Sequence, residues 1–421
     1  SFEEQAEYMI ELGRVLSSSR SIIDRLAKNC PDGRGGSGEE TDFFFKALHS
    51  LMNVDYLREA VDRELGFDGV PGHRYLDGWT RVPSSRHSGS AERIAGTGNR
   101  GGSTPLVRAV PTRQLHITAG NSPVVSLVSF LRAIAVRSAA VIKAPGDVLF
   151  LGALLGAAMR AVDPEHPITR HTSLVYWKGG DRMVEDVLFG PGAFDRLVVW
   201  GSPATVKDIA SRGVPFKTIY LNPRYGLSLI GREAFECLSE TAEKGAIDSM
   251  IGGQKSCNAS LVHYVEGSRD DALKYCEVLR KELAEWDRRL PHRLSYTDLG
   301  KLRMLKRHEF LNGVWFENGA DTRQVSCVVY MPEEFDISLH PACRCIVVRN
   351  VDSLEDALRY LTPAVSAVGI FPESSRLRLR DRAAAQGVSN IMHLGECESA
   401  YPGMPHDGMR ILSELVDWVN G

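Results

Sequence analysis

The sequence predicts an α/β protein of two domains with a small N-terminal appendage. Three observations carry that reading. At 421 residues the chain exceeds what one ordinary hydrophobic core organises. From Leu115 onward, short apolar runs alternate with segments of helical period, the pattern of βαβ units on a parallel sheet. A second alternating block follows over residues 226–385.

Taken in order, residues 1–65 read as two amphipathic helices split by a glycine-rich loop at 31–38, and residues 83–104 form a second Ser/Gly/Arg-rich loop. Strands are then expected at 115–117, 140–142, 174–176 and 197–200, with helices at 124–137, 150–162, 183–189 and 203–211. The chain is expected to end in a helix at 409–419. Four regions result: 1–110, helical and loop-rich; 111–225, a first α/β block; 226–385, a second; and 386–421, a C-terminal segment.

Composition excludes several classes. A net charge of −3, with basic residues scattered, gives no nucleic-acid footprint, and Arg376, Arg378 and Arg380 read as one polar helix face. The acidic start lacks a signal-peptide pattern, and no apolar run reaches the ~18 residues of a membrane span. The eight cysteines lack regular spacing, so reduced thiols in the cytoplasm are expected. Cys343 and Cys345 would share one face of a strand, yet no second pair with zinc spacing accompanies them, so no metal is expected.

The chemistry centres on Gly252-Gly253-Gln254-Lys255-Ser256-Cys257-Asn258-Ala259-Ser260, a glycine-rich turn that delivers one cysteine ahead of an apolar run. A thiol on such a turn is placed for exposure in a cleft, where reactive thiolates have to be. Lys255 could lower the thiol pKa, but reads more simply as a solvated lysine. Upstream stand Ala119-Gly120-Asn121-Ser122-Pro123 and Ala139-Ala140-Val141-Ile142-Lys143-Ala144-Pro145.

In order and spacing these segments resemble the aldehyde dehydrogenase superfamily, and within it the LuxC-like acyl-CoA reductases, the fatty-acid reductases of bacterial luminescence. The resemblance runs from about residue 110 to the C-terminus. It implies an aldehyde dehydrogenase-like fold: a Rossmann-type NADP-binding domain at 111–225, on which 1–110 pack and to which 386–421 return, plus a second α/β catalytic domain at 226–385 carrying the cysteine, with the active site between them. It implies Cys257 as nucleophile and Asn121 as donor to the oxyanion. It places Lys143 at the adenosine ribose, Gly179 and Gly180 at a glycine turn nearer the adenine, and Gly201 and Ser202 against the cofactor diphosphate at a helix start.

Departures from the family pattern are equally informative. Tyr220 stands where hydrolytic members have the glutamate that activates water, which favours transfer between thiols over hydrolysis. Gly146 stands where NAD-preferring members often have a ribose-chelating glutamate; without that carboxylate a 2′-phosphate meets no repulsion, which favours NADPH over NADH. The second cofactor-binding glutamate has no match near residues 339–343. His406, in a segment resembling the LuxC-like C-terminal signature, reads as a turn histidine, with a polarising role as the alternative. Gly96, Gly98 and Gly101 match a G-x-G-x-x-G spacing, but no helix follows, so they read as loop glycines.

The expected function is NADPH-dependent reduction of an acyl thioester, on CoA or an acyl carrier protein, to an aldehyde through acyl-Cys257. A hydrolytic NAD(P)-dependent aldehyde dehydrogenase and a non-catalytic scaffold of a multienzyme complex are the alternatives. Homo-oligomerisation is left open.

Overall fold

The computed structural model describes residues 2–19, 52–67, 69–81, 106–120, 124–146, 149–289, 294–307, 313–319, 325–334, 336–399 and 401–421. The glycine-rich loops at 31–38 and 83–104, with Gly96, Gly98 and Gly101, lie outside these residues, as does Asn121. Two compact units emerge: among the described residues the first comprises those up to 221 together with 401–421, and the second those from 222 to 399.

Strands of the first unit are β1 (Thr80–Arg81), β2 (Leu106–Pro111), β3 (Arg113–Ile117), β4 (Ala139–Lys143), β5 (Thr172–Val175), β6 (Arg196–Trp200) and β7 (Lys217–Leu221). The last five make an all-parallel sheet in the order β5-β4-β3-β6-β7. The order reverses at β3, which pairs with both β4 and β6. Helices Val124–Ala135 and Leu149–Val162 contribute Phe130 and Met159 to a core with Ala140 and Ile142, while Leu115, Ile117, Leu197 and Val199 form a separate apolar cluster with Trp177 and Phe189. Apolar clusters on both faces are what a parallel sheet requires, and they explain the short, nearly continuous apolar runs of its strands.

The second unit holds β8 (Tyr225–Ile230), β9 (Ser260–Glu266), β10 (Val314–Asn318), β11 (Ser326–Tyr330), β12 (Cys345–Val351), β13 (Val365–Phe371) and β14 (Asn390–His393). They form one sheet, β10-β11-β12-β9-β8-β13-β14, parallel throughout except for β10 against β11. Helices Leu238–Met250 and Arg269–Arg289 pack into one apolar cluster with Val328, Ile346 and Val348, and Tyr296–Arg307 and Glu373–Ala385 into another with Val262, Val347 and Val368.

Three expectations are corrected. The chain ends in a short helix, Ile411–Glu414, followed by β15 (Val416–Asn420), which pairs antiparallel with β2. A helix over 409–419 loses because the alternating segment finds its partner some 300 positions away, a pairing invisible to local periodicity. Residues 386–399 stay with the second unit because β14 extends its sheet beside β13. Cys343 and Arg344 precede β12, and Arg344 has φ 53°, so Cys343 and Cys345 do not alternate on one strand. Arg344 instead pairs with Asp287 at 2.9 Å.

Candidate active site

In the first unit the site residues sit after the carboxyl ends of neighbouring strands. Lys143 closes β4 and is buried, its ammonium 5.4 Å from the centre of the Trp177 ring and 5.7 Å from that of Tyr176. Burial lowers its pKa from the ordinary lysine value, with the Glu185 charge opposing the shift. Thr118, just past β3, donates from its backbone N–H and its hydroxyl to the Lys143 carbonyl, which ties the two strand ends together.

Gly179 and Gly180 form the turn after β5. Gly180 has φ +83°, a conformation that favours glycine, and a side chain at Gly179 would meet nothing within 4 Å. The turn is anchored by Glu185, unsignalled in the sequence, whose Oε1 accepts from Gly180 N–H and Trp177 Nε1–H, each at 3.1 Å, and whose Oε2 accepts from Arg212 at 2.6 Å. Burial alone would raise this carboxyl, but the bonds from Trp177, Arg212 and Gly180 hold it below the ordinary value.

After β6, Ser202 caps helix Pro203–Ser211: its hydroxyl accepts from Thr205 N–H at 3.2 Å and Pro203 occupies the first turn. A Cβ at Gly201 would come within 2.9 Å of Thr205 Cβ, so the packing of turn on helix already calls for glycine there. Tyr220, on β7, packs against the apolar cluster around Leu197 and Val199.

The second unit carries Cys257. Helix Leu238–Met250 runs into the turn Ile251–Gln254, where Gly252, Gly253 and Gln254 adopt φ of +55°, +63° and +70°. Two glycines make the first two steps cheap; Gln254 does not have that freedom and is held by its side chain. Its Oε1 accepts from Cys345 N–H at 2.9 Å and its Nε2 donates to the Cys345 carbonyl at 2.7 Å, so the amide pairs with the first residue of β12 as a strand would. Gly226, at the start of β8, receives the other side of the turn: its N–H donates to the Ala259 carbonyl at 2.8 Å, and a Cβ there would lie 2.3 Å from the Asn258 carbonyl oxygen.

On this scaffold Cys257 is half-buried, with Sγ 3.9 Å from Asn258 Oδ1. None of the seven described cysteines is in a disulfide. Cys276, Cys343, Cys345 and Cys397 are buried. Burial pushes the thiols of Cys276 and Cys397 up and that of Cys343 to about 12; at Cys345 a hydrogen bond with Cys327 adds to burial. Such thiols are poor nucleophiles. Cys237 is also half-buried, but it stands at the opposite end of helix Leu238–Met250. Lys255 is exposed.

A further group, without any motif to announce it, is Glu398, whose Oε2 accepts from Ser256 Oγ at 3.4 Å. It follows β14 and reaches the cysteine turn only through the fold. His406 forms a tight turn, exchanging backbone hydrogen bonds with Met409 at 2.9 Å in both directions, and its ring meets Trp200 edge-on at 5.1 Å. Among the described residues no cluster of His, Cys, Asp and Glu could hold a metal, and no helix is long and apolar enough to cross a membrane.

A family model described as acyl-CoA reductase (LuxC) matches residues 108–418. Long-chain acyl-protein thioester reductases of Photorhabdus laumondii and Vibrio harveyi are 25% identical over 320 residues and 26% over 321, each match covering 75% of this chain. The matches span 65% of those relatives' own length. Among solved structures, an NADP-dependent glyceraldehyde-3-phosphate dehydrogenase from Bacillus halodurans complexed with NADP superposes with TM-score 0.71 at 12% identity, covering 100% of this chain and 86% of that one. An NAD-dependent benzaldehyde dehydrogenase from Corynebacterium glutamicum gives 0.69 at 13%, with the same coverage. With the model match extending over most of its length, the chain belongs to the acyl-CoA reductase (LuxC) family, built on the aldehyde dehydrogenase fold.

Proposed function

We propose that this protein reduces an acyl thioester, carried on CoA or on a carrier protein, to the aldehyde through acyl-Cys257, with NADPH as reductant. The observation that carries the reading is the Cys257 turn: a half-buried thiol just past the left-handed backbone of Gly252, Gly253 and Gln254, whereas four other cysteines are buried with their thiols pushed up. The names of the relatives, acyl-protein thioester reductases, support the substrate class.

The first unit fits a dinucleotide. Its parallel sheet reverses order at β3, and ligands of such sheets lie outside the carboxyl ends at the reversal. Lys143, the Gly179-Gly180 turn and the capped helix start at Gly201 and Ser202 all lie after carboxyl ends of that sheet. We assign Lys143 to the ribose, Gly179 and Gly180 to the adenine side, and Gly201 and Ser202 to the diphosphate, where free helix N–H groups favour phosphate. A Cβ at Gly146 would approach Tyr176 Oη at 3.5 Å, so no carboxylate stands there to repel a 2′-phosphate. Bound NADPH would supply the hydride.

Cys257, as thiolate, attacks the thioester carbonyl, and the oxyanion formed is assigned to Asn121. The bond to the donor sulfur breaks, and the donor leaves as a thiolate that takes up a proton. After reduction of the acyl carbonyl, the thiohemiacetal collapses, releasing aldehyde and the Cys257 thiolate. Tyr220, packed on an apolar cluster, offers no carboxylate to activate water, which supports reduction over hydrolysis. The free cysteines suit a reducing compartment, and we place the enzyme in the cytoplasm.

The test is cofactor consumption across acyl-CoA chain lengths, with NADPH and NADH in parallel and intact-mass detection of acyl-Cys257. Acyl-enzyme loaded without cofactor should persist in buffer and discharge rapidly to free CoA. Decay in buffer at the turnover rate, yielding free acid, would restore the hydrolytic dehydrogenase.

A further inference from the structure

Two segments distant in sequence converge on the Cys257 turn. Ser256 and Asn258 flank Cys257. Ser366, on β13, donates to Asn258 Oδ1 at 2.8 Å, and that same oxygen faces Cys257 Sγ at 3.9 Å. With Oδ1 so engaged, the amide nitrogen of Asn258 is left as donor toward Glu398, whose other partner is Ser256 Oγ. Glu398 is itself fixed from behind: the buried carboxylate of Asp248, on helix Leu238–Met250, accepts from Gly395 N–H at 2.8 Å and Cys397 N–H at 2.9 Å.

We propose that Glu398 is a positioning residue for Cys257: its carboxylate holds Ser256 and Asn258, the residues on either side of the thiol, and so fixes the amide oxygen that faces the sulfur. The proposal rests on Cys257 being the nucleophile.

Its energetics fit a functional group better than a structural one. Solvent reaches the Glu398 side chain, yet surrounding protein crowds it, and its carboxyl is pushed up to about 7 by lost hydration and by Asp248, against the bonds from Ser256 and Asn258. Among the described residues Glu398 forms no ion pair. The nearby Lys244, whose side chain lies against Gly395, has its ammonium on Glu240 at 2.8 Å; Lys255 on the turn is exposed, and Glu396 on its own loop adds negative charge. A carboxyl with raised titration beside a cysteine turn is a candidate for a functional role.

Ionised above about 7, Glu398 accepts from both donors; protonated below, it accepts more weakly and one oxygen becomes a donor, so its hold on the turn loosens. The experiment measures alkylation of Cys257 by iodoacetamide, and its acylation by an acyl-CoA, from pH 5.5 to 8.5 in the whole chain and in Glu398→Gln and Glu398→Asp. The Cys257 thiol is titrated separately in each protein, since removing a nearby carboxylate charge shifts it, and rates divided by the thiolate fraction isolate the positioning effect of Glu398. Glu398→Gln should match the parent at pH 5.5 and fall roughly 10-fold behind at pH 8.5, the scale of effect that a displaced reacting group produces. Glu398→Asp should keep the pH dependence at a reduced rate.

Equal slowing at both ends of the range, no slowing, or a faster Glu398→Gln at pH 8.5 would each overturn the proposal. So would rapid hydrolysis of acyl-Cys257 that Glu398→Gln abolishes, which would make Glu398 a base for water. Absence of any acyl-Cys257 in the parent sinks the nucleophile reading instead, while alkylation still reports whether Glu398 governs the turn.

Discussion

The two units present their chemistry in opposite ways. In the first, Lys143 ends its strand and Gly180 and Ser202 follow theirs, each set by local features: a strand end, a left-handed glycine, a helix cap. In the second, the turn that bears Cys257 is held by Cys345, Gly226 and Ser366, and by Glu398 through Ser256, all far from it along the chain. A phosphate site made of backbone N–H groups tolerates local construction, because every βα turn supplies them. A nucleophile must be fixed to within fractions of an ångström, and only packing from several directions does that.

The most severe break is at the thiol itself. Cys257→Ser should lower aldehyde formation at least ~10³-fold, about 4 kcal/mol, while leaving NADPH affinity unchanged. Cys237→Ser, at the other end of the same helix, should retain activity. Substantial turnover in Cys257→Ser would move the nucleophile elsewhere.

A methyl group sharpens the contrast between units. Gly226→Ala places a carbon 2.3 Å from the Asn258 carbonyl oxygen, and should cost about 3 kcal/mol by urea unfolding as well as most of the acylation rate. Parent-like stability and acylation would show that the turn is looser than its contacts imply.

Each unit also buries a neutral histidine. In the first, His116 shares a hydrogen bond with Gln114 at 2.9 Å; in the second, His263 is bonded on both nitrogens, to Ser249 at 2.8 Å and Tyr275 at 2.9 Å. Burial pushes both down to about 3, with Arg132 adding to the effect at His116. Folded values below the ordinary 6.5 mean that stability is full above pH 6.5 and is lost as pH falls toward 3. Near pH 5 each should cost roughly 2 kcal/mol. Denaturation at pH 5 and 8 checks this, and His116→Gln and His263→Gln should each flatten the acid limb. A parent equally stable at both values would contradict it.

The smallest effect is expected at Gly179→Ala. With open space around it, the substitution should change stability by no more than ~0.5 kcal/mol, so that any loss in a fluorescence titration with NADPH reports cofactor approach alone. Unchanged affinity would remove Gly179 from the proposed cofactor contacts.

Much of this was legible before folding was considered. The alternation of apolar runs located β3, β4, β5 and β6 and the helices between them, because a parallel sheet covered on both faces leaves a continuous apolar signature. The glycine pair at 252 and 253 marked the turn that carries Cys257, because left-handed backbone leaves few other choices. Glu185, Gly226 and Glu398 had no comparable signal: a carboxylate or a single glycine in a loop looks the same whether it anchors a site or merely ends a helix.

The sequence by itself therefore determined what depends on near neighbours: the class of fold, the strand-end lysine, the capped helix after β6, the cysteine turn and its family. Tertiary structure alone decided that residues 416–420 form a strand on β2, that Gln254 adopts left-handed backbone by pairing with Cys345, and that Glu398 comes to rest beside Ser256. Those outcomes follow from hydrogen bonds and contacts between residues separated by 90 to more than 300 positions. Local periodicity holds no information about such pairings, because their energy exists only once the chain has closed around them.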